Sequence, residues 1–331
     1  MSRKPPLSRH TRLAPLAAAV ALLGAASAVL AQTVTVGQSA TTAPVAATVV
    51  TGSGAVTNTL TPAATTVTNN GFTTTAQGNL HQLPTGADAT LDIHNQPLAT
   101  PTVTVTQTVD AAANVTATTH AGTIGIDSSS ASLGVILSNT GNRSNAQGTV
   151  SGNSAQANAG GNAGVATIDA QSTTLAVSTP VSASSSQTSA SAVSAATDAD
   201  IVGMKLRPVS GTWNNLALTV SDNDVGAGAT GNQSDNGVSL AADGALTLTS
   251  GVGSIALQSQ TGTVSATSTT GLLGINVLLL GAGQPASSDF TVSGNAASAS
   301  AQGNAQTSQV QASGATLAQT GGSGIALGAS Q

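Results

Sequence analysis

The 331-residue chain contains no cysteine, no glutamate and no tyrosine, and its only aromatic residues are one Trp and two Phe. Charged residues make up 6% of the chain, against about 25% in a typical globular domain. Without cysteine, neither a disulfide framework nor a thiolate metal site is available. Nucleic-acid binding needs basic clusters and stacking rings, and most enzymes need several convergent ionisable groups. The composition therefore argues against all of these classes.

The few cations are concentrated at the N-terminus. Four of the seven basic residues lie in the first twelve positions, ahead of an apolar run from Leu13 to Leu30. A small-residue cleavage site follows at Ala31. This layout predicts a secretory signal peptide over 1–31. An N-terminal membrane anchor is the alternative, although Pro15 and Gly24 disfavour a long spanning helix.

One motif recurs four times in the rest of the chain: Val-[Ser/Thr]-x-Asn, five residues, then Ala-x-Gly-Asn. The copies begin at Val67, Val150, Val220 and Val292, which are 83, 70 and 72 residues apart. Repeats of this kind indicate one structural unit stacked several times. The predicted organisation after the leader is: 32–66, an N-terminal strand or cap; 67–149, 150–219 and 220–291, three repeat units; and 292–331, a truncated fourth unit with a C-terminal cap or tail.

Other positions follow the same frame. An aliphatic residue comes after the second Asn of each copy, and in the first unit an insert around Pro84–Gly86 delays it. These aliphatic residues are Leu91, Ile168, Val238 and Val310. Near the end of each full unit a glycine stands between two aliphatic residues, at Gly134, Gly203 and Gly274.

A shorter period lies within the units. Gly244, Gly253, Gly262 and Gly271 are nine residues apart, and aliphatic residues alternate between them. Alternation predicts strands with one buried face, and glycine supplies turns. The predicted fold is all-β: a right-handed β-solenoid of about 3.5 imperfect seventy-residue units with a nine-residue sub-period, each coil taking about eighteen residues.

The asparagines of the motif are predicted to be structural. In a stack of coils, like residues lie over like residues, so charges repel whereas an amide both donates and accepts along the stack. The predicted positions for ladders or turns are Asn70, Asn79, Asn153, Asn162, Asn223, Asn232, Asn295 and Asn304. No catalytic, cofactor-binding or metal-binding residue and no cofactor is predicted.

Two other architectures are open at this point. Disorder is one of them, chiefly for the Ser/Ala tract 180–200 and for 310–331. An array of β-sandwich domains is the second, although such domains usually repeat an aromatic core residue and Trp213 occurs once.

The histidines and aspartates offer little chemistry. His81, His94 and His120 lie in the first unit, and Asp92 shares a strand face with His94, with Asp88 nearby. These residues are predicted to lie in solvated loops, because a metal or catalytic site would need further partners.

Two local patterns remain. Asp222 to Gly226 resembles the opening of a calcium loop, but position five is glycine and position twelve is Gln233. A solvated turn is favoured over an irregular weak site completed by Asp235 and Asp243. The apolar stretch Gly271–Gly283 is too short to span a bilayer as a helix. It is predicted to be a buried strand pair, or else an exposed docking surface.

Asparagine repeats followed by alternating aliphatics, over Asn153–Ile168, Asn223–Val238 and Asn295–Val310, resemble the repeat proteins that anchor bacterial holdfasts and the β-solenoid passenger domains of surface adhesins. The resemblance implies secretion and a place at the cell surface or outer membrane of a Gram-negative bacterium. It also implies outer-membrane secretion or anchoring proteins, or extracellular polysaccharide, as partners, without catalysis.

The expected function is therefore a secreted, non-enzymatic structural or adhesive protein that attaches a cell or its holdfast-like matrix to a surface, with self-assembly into fibres or oligomers. A second possibility is an ice- or polysaccharide-binding module that uses a threonine row: Thr102, Thr104, Thr106 and Thr108. A third, a β-helical polysaccharide-degrading enzyme, is disfavoured because only three cations follow the leader.

Overall fold

The structure is a computed structural model, and it describes the following residues: 32–41, 44–50, 54–58, 64–81, 89–127, 133–137, 143–207, 210–278, 286–320 and 324–331. The chain divides into two units, Met1–Leu30 and Ala31–Gln331. The predicted signal peptide and the insert around Pro84–Gly86 lie outside the described residues, so the fold is that of the second unit.

The regular structure of these ranges consists of β-strands, with no helix among them. Ahead of the first motif copy are β1 (Thr33–Ala40), β2 (Val45–Val50) and β3 (Gly54–Asn58). The first repeat forms β4 (Ala64–Thr68), β5 (Gly71–His81), β6 (Ala89–His94), β7 (Thr102–Val109), β8 (Val115–Asp127) and β9 (Leu133–Leu137). The second forms β10 (Arg143–Ser144), β11 (Gln147–Ser151), β12 (Ser154–Ser172), β13 (Leu175–Val177), β14 (Val181–Ser189) and β15 (Val193–Leu206).

The third repeat forms β16 (Trp213–Asn214), β17 (Ala217–Ser221), β18 (Asp224–Ala242), β19 (Ala245–Leu248), β20 (Val252–Gln260) and β21 (Val264–Val277). The fourth forms β22 (Asp289–Ser293), β23 (Ala296–Ser313), β24 (Thr316–Gln319) and β25 (Ile325–Ser330). We call each of these sets of strands a rung; each rung begins a few residues before the motif valine that opens the predicted repeat unit.

Every pairing between these strands is parallel, and nearly all join equivalent strands of successive rungs. The main sheets are sheet 1 (β4-β11-β17-β22), sheet 2 (β5 and β6 on β12, then β18 and β23), sheet 3 (β13-β19-β24), sheet 4 (β1-β7-β14-β20-β25) and sheet 5 (β2-β8-β15-β21, with β9 and β3 beside β8). Parallel pairing on this scale is incompatible with an array of antiparallel β-sandwiches.

The strand register reproduces the repeat frame read from the sequence. The motif valines Val67, Val150, Val220 and Val292 are partners across sheet 1. The aliphatic residues that follow each motif are partners across sheet 2 in the same way. The first rung rejoins the register at Ala89, after the insert.

The predicted coil of about eighteen residues is wrong, because partners in adjacent rungs lie about seventy residues apart, as Asn153 and Asn223 do at 70. Strands reach 19 residues, not four or five. Of the glycines spaced at nine, Gly244 and Gly262 lie between strands, whereas Gly253 and Gly271 lie within β20 and β21. Their spacing therefore does not mark successive turns.

The tracts considered as disordered are mostly strand where they are described. The Ser/Ala tract 180–200 forms β14 and most of β15. The segment from residue 310 onward contributes the end of β23, then β24 and β25. Alternating small residues are sufficient here because each strand has equivalent neighbours on one or both sides.

The interior lies between sheet 2 and the facing sheets 4 and 5. Buried and more exposed residues alternate along the strands, as in β14. Three apolar clusters fill the interior, one dominated by alanine around Ala157 and Ala229 and two by larger aliphatic residues. Trp213 is buried in one of the larger clusters.

Glycine is required where backbones of successive rungs approach closely. Gly125, Gly203 and Gly274 are register partners with φ of 150°, 145° and 143°. A Cβ on Gly203 would lie 2.0 Å from the Gly274 carbonyl oxygen. The sequence repeat had suggested Gly134 as the first member of this row of glycines. Gly134 instead lies in the additional strand β9, and it pairs with Gly125 on the side of β8 opposite to β15.

Candidate functional site: amide ladders and the open C-terminal edge

The first asparagine of each motif copy belongs to a row that we call the corner ladder. Asn70 Nδ2 donates to Asn153 Oδ1 at 2.8 Å, Asn153 to Asn223 at 2.8 Å, and Asn223 to Asn295 at 2.7 Å. The backbone N–H of each donor residue points at the same oxygen, at 3.1 Å in every step. In Asn153, Asn223 and Asn295, an Nδ2 proton is also donated to the carbonyl oxygen of the motif valine of the preceding rung.

The local sequence places these asparagines. The residue before each one has a positive φ: Asn69 at 58°, Gly152 at 65°, Asp222 at 57° and Gly294 at 64°. Glycine, asparagine and aspartate tolerate this conformation best. The chain therefore turns at the same point in every rung, between sheet 1 and sheet 2, and directs the next side chain inward.

The second asparagine of each copy forms the central ladder, inside the stack. Asn79 donates to Asn162 at 2.8 Å, Asn162 to Asn232 at 2.7 Å, and Asn232 to Asn304 at 2.7 Å. The other Nδ2 proton of the first three crosses the interior to a backbone carbonyl of sheet 4, at 2.7, 3.1 and 3.0 Å. Each of these amides thus binds the next rung and the facing layer at once.

A third row, the glutamine ladder, was not found by sequence analysis. Gln107 Nε2 donates to Gln38 Oε1 at 2.7 Å, Gln187 to Gln107 at 2.6 Å, and Gln258 to Gln187 at 2.8 Å. The remaining Nε2 proton of each donor reaches a backbone carbonyl of sheet 2. The sequence signal that could have revealed this ladder is the spacing of its glutamines, which are 69, 80 and 71 residues apart, close to the spacing of the motif copies.

The ladders have opposite directions. Both asparagine ladders donate toward the C-terminal rung, and the glutamine ladder donates toward the N-terminal rung. At the C-terminal end, Gln258 Oε1 is buried and accepts no hydrogen bond, and the Gln258 side chain is only 4% exposed. A cavity of about 390 Å³ lies beside it, lined also by Leu257, Ser259 and Gln331.

Among the described strands, the C-terminal edge of the stack has no further neighbour. β21, β22, β23, β24 and β25 each stand at the end of their sheets. In the described part of the chain, the large apolar side chains that are exposed all belong to the third and fourth rungs: Leu257, Leu278, Phe290, Val292, Leu317, Ile325 and Leu327. The described part of Gly271–Gly283 is a half-exposed edge strand, β21, with Leu278 after it, and no buried strand pair is formed there.

The sequence-predicted ionisable residues lie on the outer surface, in strands and not in loops. Asp92 and His94 share the exposed face of β6, with Oδ1 and Nε2 2.6 Å apart. His120 Nδ1 lies 3.2 Å from Asp198 Oδ2 on the next rung. All four side chains are about half exposed. Asp88 lies outside the described residues, as does the side chain of His81.

The segment that resembles a calcium loop is occupied by structural contacts. Asn223 belongs to the corner ladder and is fully buried. Asp222 is the turn residue before it, and Asp224 accepts a hydrogen bond from Gln156 at 2.7 Å. In the ranges given above, no three His, Asp or Glu side chains are grouped closely enough to hold a metal ion.

The parallel sheets and their ladders define an all-β protein built from stacked repeats. No family model, curated protein or solved structure matches the chain. None of the described segments is a helix long and apolar enough to cross a membrane.

Proposed function

We propose that this chain is a secreted, non-enzymatic structural protein whose stacked rungs form a right-handed β-solenoid, and that it attaches a cell or its adhesive matrix to a surface. The observation that carries this proposal is the way in which the buried polar side chains are hydrogen-bonded. The buried amides of the three ladders are hydrogen-bonded to equivalent amides in neighbouring rungs or to backbone, so their role is to hold the rungs together. Right-handed crossovers between parallel strands favour the proposed hand.

A structural role fits the surface as well. Asp127 is buried, and the other ionisable side chains that the structure describes lie singly or in pairs on an outer face dominated by Ser, Thr, Asn and Gln. Such a face makes many weak contacts and little specific chemistry. Outer-membrane anchoring or secretion proteins, or extracellular polysaccharide, remain the proposed partners.

The test is localisation and adhesion in the cell that produces the protein. We expect antibody against the chain to label intact cells, and loss of the chain to reduce attachment without loss of any secreted enzymatic activity. A form lacking residues 150–219 should attach more weakly than the full chain. Labelling confined to permeabilised cells would contradict the proposal.

One observation favours a second candidate, binding of ice or polysaccharide. The outward residues of β1, β7 and β14 form rows of hydroxyls, such as Thr35, Thr104 and Ser184. Thr104 and Ser184 are 3.2 Å apart at their oxygens, and the row ends at Ile255 in β20. Strands about 4.8 Å apart give such a face a regular spacing. Thermal hysteresis or glycan binding that is lost in Thr104→Tyr, and retained in Thr167→Tyr on sheet 2, would favour this candidate.

A further inference from the structure

We propose that a second copy of this chain docks its N-terminal edge on the open C-terminal edge of the first, so that strands and ladders continue from copy to copy. The proposal deepens the structural role proposed above and rests on it. The docking surface is the edge formed by β21, β22 and β23, which have a neighbour on one side only among the described strands, together with β20, whose outer side is paired with β25.

The C-terminal edge presents unused hydrogen-bonding groups in fixed positions. Asn295 and Asn304 accept from the rung below through Oδ1. In the described structure, neither Nδ2 reaches an asparagine beyond it. Gln258 Oε1 is buried without a donor. A buried amide oxygen without a donor, such as that of Gln258, is costly, and most buried polar groups in proteins have a partner.

The N-terminal edge presents amide oxygens that can accept hydrogen bonds from these asparagines. Asn70 and Asn79 donate to the next rung through Nδ2, and no described residue donates to either Oδ1. Stacking one copy on another places the donors Asn295 and Asn304 beneath these two oxygens. In the same register the glutamine ladder continues, because Gln38 of the second copy takes the next position over Gln258.

The strand sequences continue in the same register. Val45 and Ala47 of β2 pair with Val115 and Ala117 of β8, the same two residue types in the next rung. The same pair recurs further along sheet 5 as Val264 and Ala266 of β21. β2 of a second copy therefore fits the free edge of β21 with like residues in contact, and main-chain hydrogen bonds join the edges.

This docking requires β25 to leave the edge of β20. β25 pairs with β20 over Val252–Leu257, so the pairing ends one residue before Gln258, whose Oε1 has no donor. β1 of the incoming copy pairs with the same edge of β20, so it replaces β25. The side chains of Ile325 and Leu327 are 50% and 60% exposed, so β25 loses little apolar contact when it leaves.

The polarity of the ladders decides the geometry of the assembly. Two C-terminal edges facing each other would set amide donors against donors and reverse the strand direction. When a C-terminal edge docks on an N-terminal edge, amide donors meet acceptors and all strands run in the same direction. Such an interface is head-to-tail and leaves a free edge at each end of the pair, so it generates an open series of oligomers.

The test uses Asn304→Asp in the full chain. The aspartate still accepts from Asn232, so the copy that carries it keeps its own ladder, but it offers a carboxylate where Asn79 of the next copy needs a donor. Asn158→Asp makes the same charge change on the exposed face of sheet 2 and serves as the control. Sedimentation velocity over a range of protein concentrations measures assembly.

We expect the unaltered chain and Asn158→Asp to form a series of dimer, trimer and longer species, and Asn304→Asp to require about tenfold or more protein to do so. Because Asn304→Asp retains an intact N-terminal edge, small amounts of it should shorten oligomers of the unaltered chain. Equal assembly by all three forms, or a dimer that never grows, would overturn the inference.

Circular dichroism separates this inference from the proposed function. A chain with a β spectrum that stays monomeric at every concentration would overturn head-to-tail docking and leave the structural role standing. A random-coil spectrum would overturn both.

Discussion

Asparagine and glutamine give this interior its specificity at the scale of single residues. A core of Ala, Val and small polar residues would allow one rung to slip against the next, because its contacts are nearly uniform. A side-chain amide finds both a donor and an acceptor along the stack when it lies over another amide. Asn162, for example, accepts from Asn79 and donates to Asn232 and to Thr188 O.

We therefore expect Asn162→Ala to lower the free energy of unfolding by about 3 kcal/mol, because it leaves several buried polar groups without partners. Asn158→Ala, at an exposed position of the same strand, should change it by less than about 0.5 kcal/mol. Urea unfolding followed by circular dichroism measures both. Equal effects of the two substitutions would contradict the structural importance of the ladder.

The row of register-paired glycines Gly125, Gly203 and Gly274 leads to a second prediction at this scale. Ala at position 203 would combine a positive φ with a Cβ 2.0 Å from a backbone oxygen, and the backbone cannot move without separating two rungs. We expect Gly203→Ala to destabilise the protein by about 3 kcal/mol or more, or to prevent folding. Gly237→Ala, whose Cβ would make an ordinary 3.5 Å contact with Thr167, is the control for thermal unfolding and should be nearly neutral.

At the scale of strands, the sequence was informative about register and uninformative about coil length. The motif positions Val150 and Asn153 recur in every copy, and their equivalents are strand or ladder partners. Glycine spacing misled because a turn glycine such as Gly262 and a strand glycine such as Gly253 look alike in sequence. The glutamine ladder has no local motif around it, so only knowledge of the seventy-residue register reveals Gln187 as an interior residue.

The length of a rung predicts which deletions are tolerated. Removing 150–219 takes out one whole rung and joins Thr149 to Val220, so every remaining strand keeps a partner in register. We expect this form to keep a β spectrum and to unfold cooperatively at lower stability, since stability in stacked repeats is roughly additive. Removing 150–184, half a rung, should abolish the fold. Retention of the β spectrum by the half-rung deletion would contradict a seventy-residue rung.

At the scale of the whole molecule, the two edges of the stack are complementary and one of them is partly covered. β25 is the only described strand of sheet 4 in the fourth rung, and it covers β20 over six residue pairs. If β25 and the incoming β1 compete for this edge, then β25 limits how readily copies join. Growth would then depend on how often β25 leaves.

This competition can be controlled with a reversible lock. Ala256 and Ala329 are register partners in β20 and β25, and adjacent strands bring Cα atoms to a separation that a disulfide can bridge. The chain has no other cysteine, so Ala256→Cys with Ala329→Cys forms one defined bond. We expect the oxidised form to stay monomeric, because β25 is held on β20, and the reduced form to assemble like the unaltered chain. A chain shortened by residues 321–331 should assemble at lower concentration than either, as measured by sedimentation velocity. Equal assembly by the oxidised and reduced forms would show that β1 of the incoming copy does not take the place of β25 on β20.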